Sequence, residues 1–346
     1  MFLQRWVGDM ATTRQGVILG VGHCLGAIIR ENSDPIFDYI RAHPGSNSDI
    51  FAGLKLRRVL GTDQSVTSIM VSAAQDALRA AHVSPLDVDM ILGAGSVGEF
   101  NAPNALAAVH YGLGLSSSCR ALALNTEYST FLDGMKIAND LIATGTIAHA
   151  LIVCGMNWTQ HVDYKESVCV AASDAAGAAV VGWSDDTSLF RLTDWEHETD
   201  TSWYSALHQG PRPSSNIAPP LPDTFTTSLM KIDGERGRDA VLQFGVPAPP
   251  RVVARLLARN GVAASDITVI AHQVAQLIAD KWKAAIAPAV YVTTHEELAD
   301  MVSASVPVNL SLFLNQVSTR YLVLLGVGME MHAVAMLYER TPMPTA

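Results

Sequence analysis

The sequence of 346 residues predicts an α/β fold made of two related halves. The stretch "VSPLDVDMILG" (residues 83–93) aligns without a gap with "VAASDITVIAH" (residues 262–272), and each follows a helical segment. In both, an Asp precedes a short apolar run, which is typical of a buried strand after a helix. A second pair, "HALIVCGM" (residues 149–156) and "RYLVLLGVGM" (residues 320–329), occurs in the same order. Two such pairs indicate duplicated helix-and-strand units that pack together.

The composition along the chain divides it into three predicted regions. Residues 1–185 and 246–346 hold the two α/β halves. Residues 186–245 differ because they are rich in Pro, Ser, Thr and Asp and contain "QGPRPSSN" and "IAPPLPD". An irregular segment of this length inside a compact protein is usually a lid, a wall of a substrate channel or a dimer contact.

Hydrophobic residues make up 49% of the chain and charged residues 16%, with a mean hydropathy of +0.21, which predicts a substantial core. The formal net charge is 23 − 33 = −10, and no long run of Lys or Arg occurs. Nucleic acid is therefore an improbable partner, since its binding needs clustered cations. The longest apolar runs fall far short of the roughly 20 residues of a membrane-spanning helix, and residues 1–13 lack a signal-peptide pattern. We expect a cytoplasmic protein that does not enter a membrane.

The four cysteines are scattered and form no C-x-x-C pair, which indicates reduced, mostly buried thiols and no metal site. Cys119 lies outside any motif and is expected to be structural. The chemistry is concentrated instead in "LNTEYSTFLDGM" (residues 124–135), which reads as a turn into a buried helix, and in "AHQ" around His272.

Together with the duplicated halves, these two motifs resemble the thiolase-fold condensing enzymes. Within them the sequence is most similar to the β-ketoacyl-acyl-carrier-protein synthase III group and its acyltransferase relatives in secondary metabolism. Four more stretches are family-like and follow in family order: "GVILGVGHCLG", "LKLRRVLGTDQ", "SDAAGAAVVG" and "SASVP". The resemblance implies a thiolase fold, in which two pseudo-symmetric halves form α-β-α-β-α layers.

The resemblance also implies a mechanism. Family members use a Cys at the N-terminus of a buried helix to take an acyl group from coenzyme A or an acyl carrier protein. A His and an Asn, or an Asp in some ester-forming relatives, then assist transfer to the acceptor. Position by position, the nucleophile corresponds to Tyr128, the histidine to His272 and the asparagine to Asp300, counted back from "SASVP". No tightly bound cofactor is implied, because the acyl-CoA or phosphopantetheine thioester is a substrate.

Tyr128 departs from the family. A free phenol has a pKa near 10, so about one molecule in a thousand is ionised at neutral pH, whereas a thiol near 8.5 is already a few per cent thiolate. The helix N-terminus would have to lower the phenol pKa by about two units or more. The ring is also much larger than a thiol. The sequence therefore favours a ring that fills the pocket over a covalent nucleophile.

Several neighbouring residues have two interpretations. Glu127 is either a second carboxylate of the site, acting as a base or holding the acceptor, or an acidic residue placed favourably at a helix start. Ser129 is expected in a helix-start role rather than as a displaced nucleophile. His332 could be a further polar group near the pocket.

The resemblance extends to a set of cofactor-binding positions. Arg57 and Arg58 correspond to a basic pair near the cofactor channel, where they would meet a phosphate of phosphopantetheine or nucleotide; an ordinary surface pair is the alternative. Gly326 and Gly328 match a glycine-rich loop under the active site, where small residues let the backbone approach the substrate.

A carboxylate at position 300 influences the predicted reaction. It would orient His272 and stabilise the protonated imidazole, which gives a general base for an acceptor hydroxyl or amine. An anionic Asp300 would oppose the enolate of a decarboxylative condensation, so acyltransferase is favoured over ketosynthase, with hydroxyl, amine or carbon as acceptor.

Three explanations of Tyr128 stay open at this point. The chain is an acyltransferase that transfers directly or uses an unusual nucleophile. Alternatively it is a catalytically silent homologue that serves as partner of a condensing enzyme, or an altered form whose natural residue is Cys. The family resemblance implies a homodimer, or a heterodimer with a homologue.

Overall fold

The computed structural model describes residues 14–44, 49–98, 103–210, 229–232 and 234–341. Within these ranges the chain forms fourteen strands and nine α-helices. The strands are β1 (Val17–Leu25), β2 (Ile28–Glu31), β3 (Leu56–Val59), β4 (Met90–Gly95), β5 (Arg120–Ala123), β6 (His149–Asn157), β7 (Asp174–Gly182), β8 (Arg191–Thr199), β9 (Leu207–Gly210), β10 (Leu229–Ile232), β11 (Ile267–Ala271), β12 (Val290–Val292), β13 (Tyr321–Gly328) and β14 (His332–Glu339). The helices are α1 (Asp38–Ala42), α2 (Val66–Ala81), α3 (Ala105–Leu113), α4 (Thr130–Ala143), α5 (Gly234–Ala240), α6 (Ala248–Asn260), α7 (Gln276–Ile286), α8 (His295–Leu298) and α9 (Ser305–Phe313).

The central sheet displays the duplication. Ten of the described strands form it in the order β12-β11-β13-β14-β8-β1-β7-β6-β4-β5. Counted outward from the junction of β8 and β1, the strands of the two halves follow one another in the same order: β8, β14, β13, β11 and β12 correspond to β1, β7, β6, β4 and β5. In each half two outer pairings are parallel and two inner ones antiparallel. The halves meet through one pairing, Val17 with Arg191. The sequence pairs fall on equivalent strands, β4 with β11 and β6 with β13, so the predicted duplication is confirmed.

Helices separate and cover the two halves in five layers. The apolar face of α4, with Phe131 and Met135, packs together with Leu310 of α9 between the halves, against Ile152 in one half of the sheet and Leu324 in the other half. The outer face of the first half is covered by α2 and α3, and the outer face of the second by α6 and α7. This is the predicted α-β-α-β-α arrangement.

Helix α4 matters most for the site, because its N-terminus carries the Tyr128 turn. Its buried residues include Phe131, Met135, Ala138 and Ile142, which recur at intervals of three or four and so lie on one face. Because this face is buried between the two halves of the sheet, the N-terminus of α4 is fixed at one end of their strands.

The prediction that residues 186–245 are irregular throughout is wrong. They contain the nine-residue strand β8, which pairs with β14 and belongs to the second half, as well as α5 and a π-helical segment, Val241–Gly245. The sequence pattern did not reveal this strand, because one of its faces carries acidic residues instead of apolar ones; they pair with arginines of α6. The Pro-rich stretch at 211–228, where a lid, channel wall or dimer contact was expected, lies outside the described residues.

Three observations concern other classes of site. Across the described ranges, no helix is both long and apolar enough to cross a bilayer. In the same residues, no three His, Cys, Asp or Glu side chains converge as metal ligands would. All four cysteines are free thiols; Cys119, Cys154 and Cys169 are buried and Cys24 is half-buried.

Candidate active site

The structure places the predicted turn at the N-terminus of α4. Glu127–Ser129 form one turn of 3-10 helix directly before it, and Glu127 adopts a φ of 47°, which non-glycine residues rarely do. The hydroxyl of Ser129 donates to Oδ2 of Asp133 at 3.0 Å, and that of Thr126 donates to the same oxygen at 2.5 Å. Ser129 directly precedes α4, but its hydroxyl caps no backbone N–H of the helix.

His332 lies behind this turn and lines neither cavity described below. Its Nε2 is 3.7 Å from Oδ1 of Asp133, and its Nδ1 is 2.7 Å from Oγ1 of Thr199. Burial acts to raise the pKa of Asp133, but the attraction of the nearby His332 and hydrogen bonds from Thr126 and Ser129 outweigh it and lower that pKa. His332 is therefore a polar group near the pocket that does not line it, and it supports Asp133.

Tyr128 and His272 meet at the base of the site. His272 follows β11, and its backbone N–H donates to the carbonyl of Leu325 at 2.8 Å. The rings of His272 and Tyr128 have centroids 4.5 Å apart and planes tilted by 57°. Burial lowers the pKa of His272 to about 3, so its imidazole is uncharged at neutral pH.

Asp300 completes this group but is not the predicted charged partner. Its Oδ1 accepts from the backbone N–H of Val302 at 2.7 Å and is 3.9 Å from Nε2 of His272, beyond hydrogen-bond distance. Burial raises the pKa of Asp300 to about 8. At neutral pH the carboxyl is mostly protonated and the imidazole neutral, so the expected ion pair does not form. The expectation failed because it did not consider that burial removes water from both groups and so disfavours their charged forms.

The phenol of Tyr128 is even less acidic than in water. Burial, followed by the negative charges of Asp300 and Glu127, raises its pKa well above the ordinary value of 10.0. A nucleophilic phenolate would need a shift in the opposite direction. Tyr128 has only 7% of its surface exposed and belongs to an apolar cluster with Trp158 and Met156. These observations favour the ring as a filler of the pocket.

A cavity of about 610 Å³ opens in front of these side chains and is called the catalytic cavity here. Tyr128, His272 and Asp300 line it together with mainly apolar residues, among them Trp158 and Ile278. An apolar cavity of this size with a few convergent polar groups suits a small organic ligand.

Comparison with known proteins agrees with this geometry. A family model described as 3-oxoacyl-[acyl-carrier-protein (ACP)] synthase III matches residues 122–200, which include the Tyr128 turn. A β-ketoacyl-[acyl-carrier-protein] synthase III of Thiobacillus denitrificans is 26% identical over 264 residues, which cover 74% of this chain and 76% of that protein. The chain is a homologue of the β-ketoacyl-acyl-carrier-protein synthase III proteins.

Solved structures share the fold of this synthase III homologue. The priming β-ketosynthase from the R1128 polyketide biosynthetic pathway superposes with a TM-score of 0.80 at 21% identity, covering 96% of this chain and 98% of that one. A Xanthomonas campestris OleA variant with bound lauric acid and lauroyl-CoA gives 0.80 at 18% identity, covering 94% and 99%. The predicted thiolase fold is confirmed.

Arg57 is not placed for a cofactor phosphate. It is fully buried, with its guanidinium 5.1 Å from the ring centre of Phe37, and it donates to the carbonyl of Val170 and to Asn32. Burial lowers its pKa to about 10. The prediction that Arg57 contacts the cofactor is wrong. Its guanidinium lies over the rings of Phe37 and Phe51 and bonds to a backbone carbonyl, so the side chain points into the core. Arg58 is half-buried and lines neither cavity.

Gly326 and Gly328 belong to β13 rather than to a loop, which corrects that part of the prediction. Both lie under the Tyr128 turn, as expected. A Cβ at 326 would be 2.7 Å from Leu132, and a Cβ at 328 would be 3.0 Å from Oγ of Ser129. They let the strand approach the turn closely, and only Gly328 lines the catalytic cavity.

Glu127 faces a second cavity of about 580 Å³, called the Glu127 cavity here. Its wall also holds Glu330, Ser96 and Ser303, and Leu207 lines both cavities. Sequence reasoning did not single out Glu330, Ser96 or Ser303 as site residues. No spacing signal connects them, because they come from three separate parts of the chain and meet only in the fold.

Proposed function

We propose that this chain is an acyltransferase that moves an acyl group from a coenzyme A or acyl-carrier-protein thioester directly to an acceptor. The acceptor class is a hydroxyl, an amine or a carbon. The observation that carries the proposal is that His272 and Asp300 converge on the catalytic cavity while a phenol occupies the thiol position.

The two polar residues have complementary roles in this proposal. Asp300 keeps its proton below about pH 8 and can donate it in a hydrogen bond to the thioester carbonyl oxygen. His272 is unprotonated, and because burial makes it a weak base, it relays the proton that the acceptor loses on attack to the departing thiolate. Two neutral groups can also tolerate an enolate, so the charge of Asp300 no longer excludes a carbon acceptor. The preference for direct transfer rests on Tyr128 instead.

The apolar walls of the catalytic cavity support an acyl thioester as donor. The shared fold with the R1128 priming β-ketosynthase supports a place in secondary metabolism, polyketide or related.

A panel of acyl-CoA donors of short and medium chain length, each with an alcohol and an amine acceptor, tests the proposal. We expect release of free thiol, an acylated acceptor, and no mass gain of the intact protein. Replacing His272 by Ala should lower the rate by about 10²–10⁴-fold, the usual contribution of a positioned base. His43→Ala, at an exposed histidine, is the matched control.

Other results would point elsewhere. A covalent acyl group on Tyr128 would contradict direct transfer. Absence of turnover with every donor, together with activity gained only on mixing with a homologous subunit, would support the silent-partner explanation. More than half of the rate remaining in His272→Ala would remove His272 from the mechanism.

A further inference from the structure

The Glu127 cavity differs from the catalytic cavity in its chemistry. Its wall carries the carboxyls of Glu127 and Glu330, the hydroxyls of Ser96 and Ser303, and the side chain of Asn104. Among the described residues that line it there is no Lys, Arg or His. Two carboxyls thus share a space in which the described lining residues offer no cation.

Two buried hydroxyls in this wall have no protein partner. Ser96 is 7% exposed and Ser303 is 3% exposed, and neither Oγ forms a hydrogen bond within the described residues. Oε2 of Glu330 is likewise buried without a partner. Because buried polar atoms in folded proteins nearly always bind something, three such atoms around one cavity indicate a polar ligand.

The carboxyl of Glu330 is held against the turn that carries Tyr128. Its Oε2 lies 2.8 Å from the point that a Cβ at position 328 would occupy, so Gly328 makes room for it. Glu127 reaches the same cavity from its left-handed backbone conformation. Burial and the nearby Glu330 together raise the pKa of Glu127 to about 7. The repulsion between these carboxyls would be relieved by a cation.

We propose that the Glu127 cavity binds the ammonium group of a primary aliphatic amine, between Glu127 and Glu330, with the hydroxyls of Ser96 and Ser303 sharing its third N–H. The assignment of this amine as the acyl acceptor rests on the proposed function. An ammonium fits better than a metal ion, because no third metal-ligating side chain accompanies the two carboxyls among the described residues.

An amine acceptor makes the reaction an amide synthesis. The C–N bond forms and the C–S bond of the thioester breaks. The ammonium nitrogen loses two protons: one passes to the carboxylate of Glu127 as the free amine forms, and His272 takes the other during attack and passes it to the departing thiolate. The step needs no further reactant.

Calorimetry with hexylamine and hexanol, in the absence of any acyl donor, tests the site. Hexylamine should bind about tenfold or more tightly than hexanol, which has the same length but no charge. Glu127→Gln and Glu330→Gln should each weaken hexylamine binding about tenfold and leave hexanol binding unchanged. Glu166→Gln, at an exposed glutamate, is the control and should bind hexylamine like the parent. Unchanged melting temperatures would show that the variants are folded.

The outcomes separate this inference from the proposed function. Equal binding of hexylamine and hexanol, or equal binding by parent and both Gln variants, would overturn the amine site whatever the transfer assay gives. Hexylamine binding that depends on both glutamates, without any acyl transfer, would keep the site and reject the proposed function.

Discussion

Tyr128 occupies the place of a nucleophile without the properties of one. Its ring packs against His272, and burial raises the pKa of its hydroxyl rather than lowering it. The ring, and not the oxygen, is then the feature that shapes the site. A substitution that keeps the ring should be mild, and one that restores a small thiol should change the chemistry.

Tyr128→Phe should keep direct transfer close to the parent rate, because the hydroxyl does not ionise. Tyr128→Cys should gain a covalent acyl group from a short or medium acyl-CoA, since it restores both space and a thiolate at a helix N-terminus. Intact-mass spectrometry after incubation with the donor measures this gain. Tyr128→Ala is the control: it opens space, so it should bind acyl-CoA more tightly and yet form no adduct. Loss of activity in Tyr128→Phe would show that the hydroxyl takes part.

Asp300 gives the site a pH dependence whose sign follows from its raised pKa. The carboxyl keeps its proton up to about pH 8 in the folded protein, against roughly 3.9 when unfolded. Donation from Asp300 is therefore lost as pH rises through 8, and the transfer rate should fall there. Asp300→Asn keeps a neutral donor and should flatten this alkaline decline. A parent rate that stays constant well above pH 8 would contradict the role.

The same titration affects stability. Between roughly pH 4 and pH 8 the folded state binds the Asp300 proton and the unfolded state does not, so the free energy of unfolding falls as pH rises, by up to about 1.4 kcal/mol per pH unit. Urea unfolding of parent and Asp300→Asn at several pH values measures the difference. Identical slopes in the two proteins would show that burial does not hold the proton on Asp300.

Among the secondary-structure elements, strand β8 is stabilised by ion pairs with α6 as well as by backbone pairing with β14. Glu198 binds Arg251 and Arg255, while Arg259 binds Asp194 at 2.8 Å and Glu196 at 2.6 Å. Arg259 also donates to the backbone carbonyl of Trp195 at 2.8 Å. This ladder joins α6 to the strand at the junction of the two halves.

Arg259→Ala should destabilise the protein by about 1 kcal/mol in low salt, at the upper end for exposed pairs because one residue makes three contacts. The loss should shrink in about 1 M salt, where the screening length is about 3 Å. Arg79→Ala removes a single pair with Asp76 within α2 and is the control, with a smaller effect expected. Equal losses in both variants, or no salt dependence, would contradict a cooperative ladder.

At the scale of the whole molecule, the sheet ends in two open edges within the described residues, β5 and β12. Strand β5 has exposed residues at Arg120, Ala121 and Ala123. An unpaired edge of this kind can pair with a second chain. We therefore place the predicted dimer contact, with a second copy or a homologue, at β5.

Light scattering at micromolar concentration should give twice the chain mass of 37.0 kDa for the homodimer. Ala121→Lys should weaken it, because a two-fold contact brings the two added charges together. Val290→Lys, on the opposite edge, is the matched control and should leave the mass unchanged. A monodisperse monomer of the parent protein would contradict the homodimer.

The duplicated fold could be predicted from the sequence, because buried strands and the helices before them repeat in order along the chain. The positions of Tyr128, His272 and Asp300 came instead from the family resemblance, whose motifs are continuous in sequence. The same reasoning missed β8, since three of its nine side chains are acidic and their partners lie on a helix more than fifty residues away.

The charge states and the second cavity depend on contacts between distant parts of the chain. Desolvation by distant segments raises the pKa of Asp300 and lowers that of His272, and no short stretch of sequence contains that information. The fold also buries Arg57 in the core, where its guanidinium lies over the rings of Phe37 and Phe51. Residues far apart in the chain, such as Ser96 and Glu330, become one site only because the fold brings their segments together.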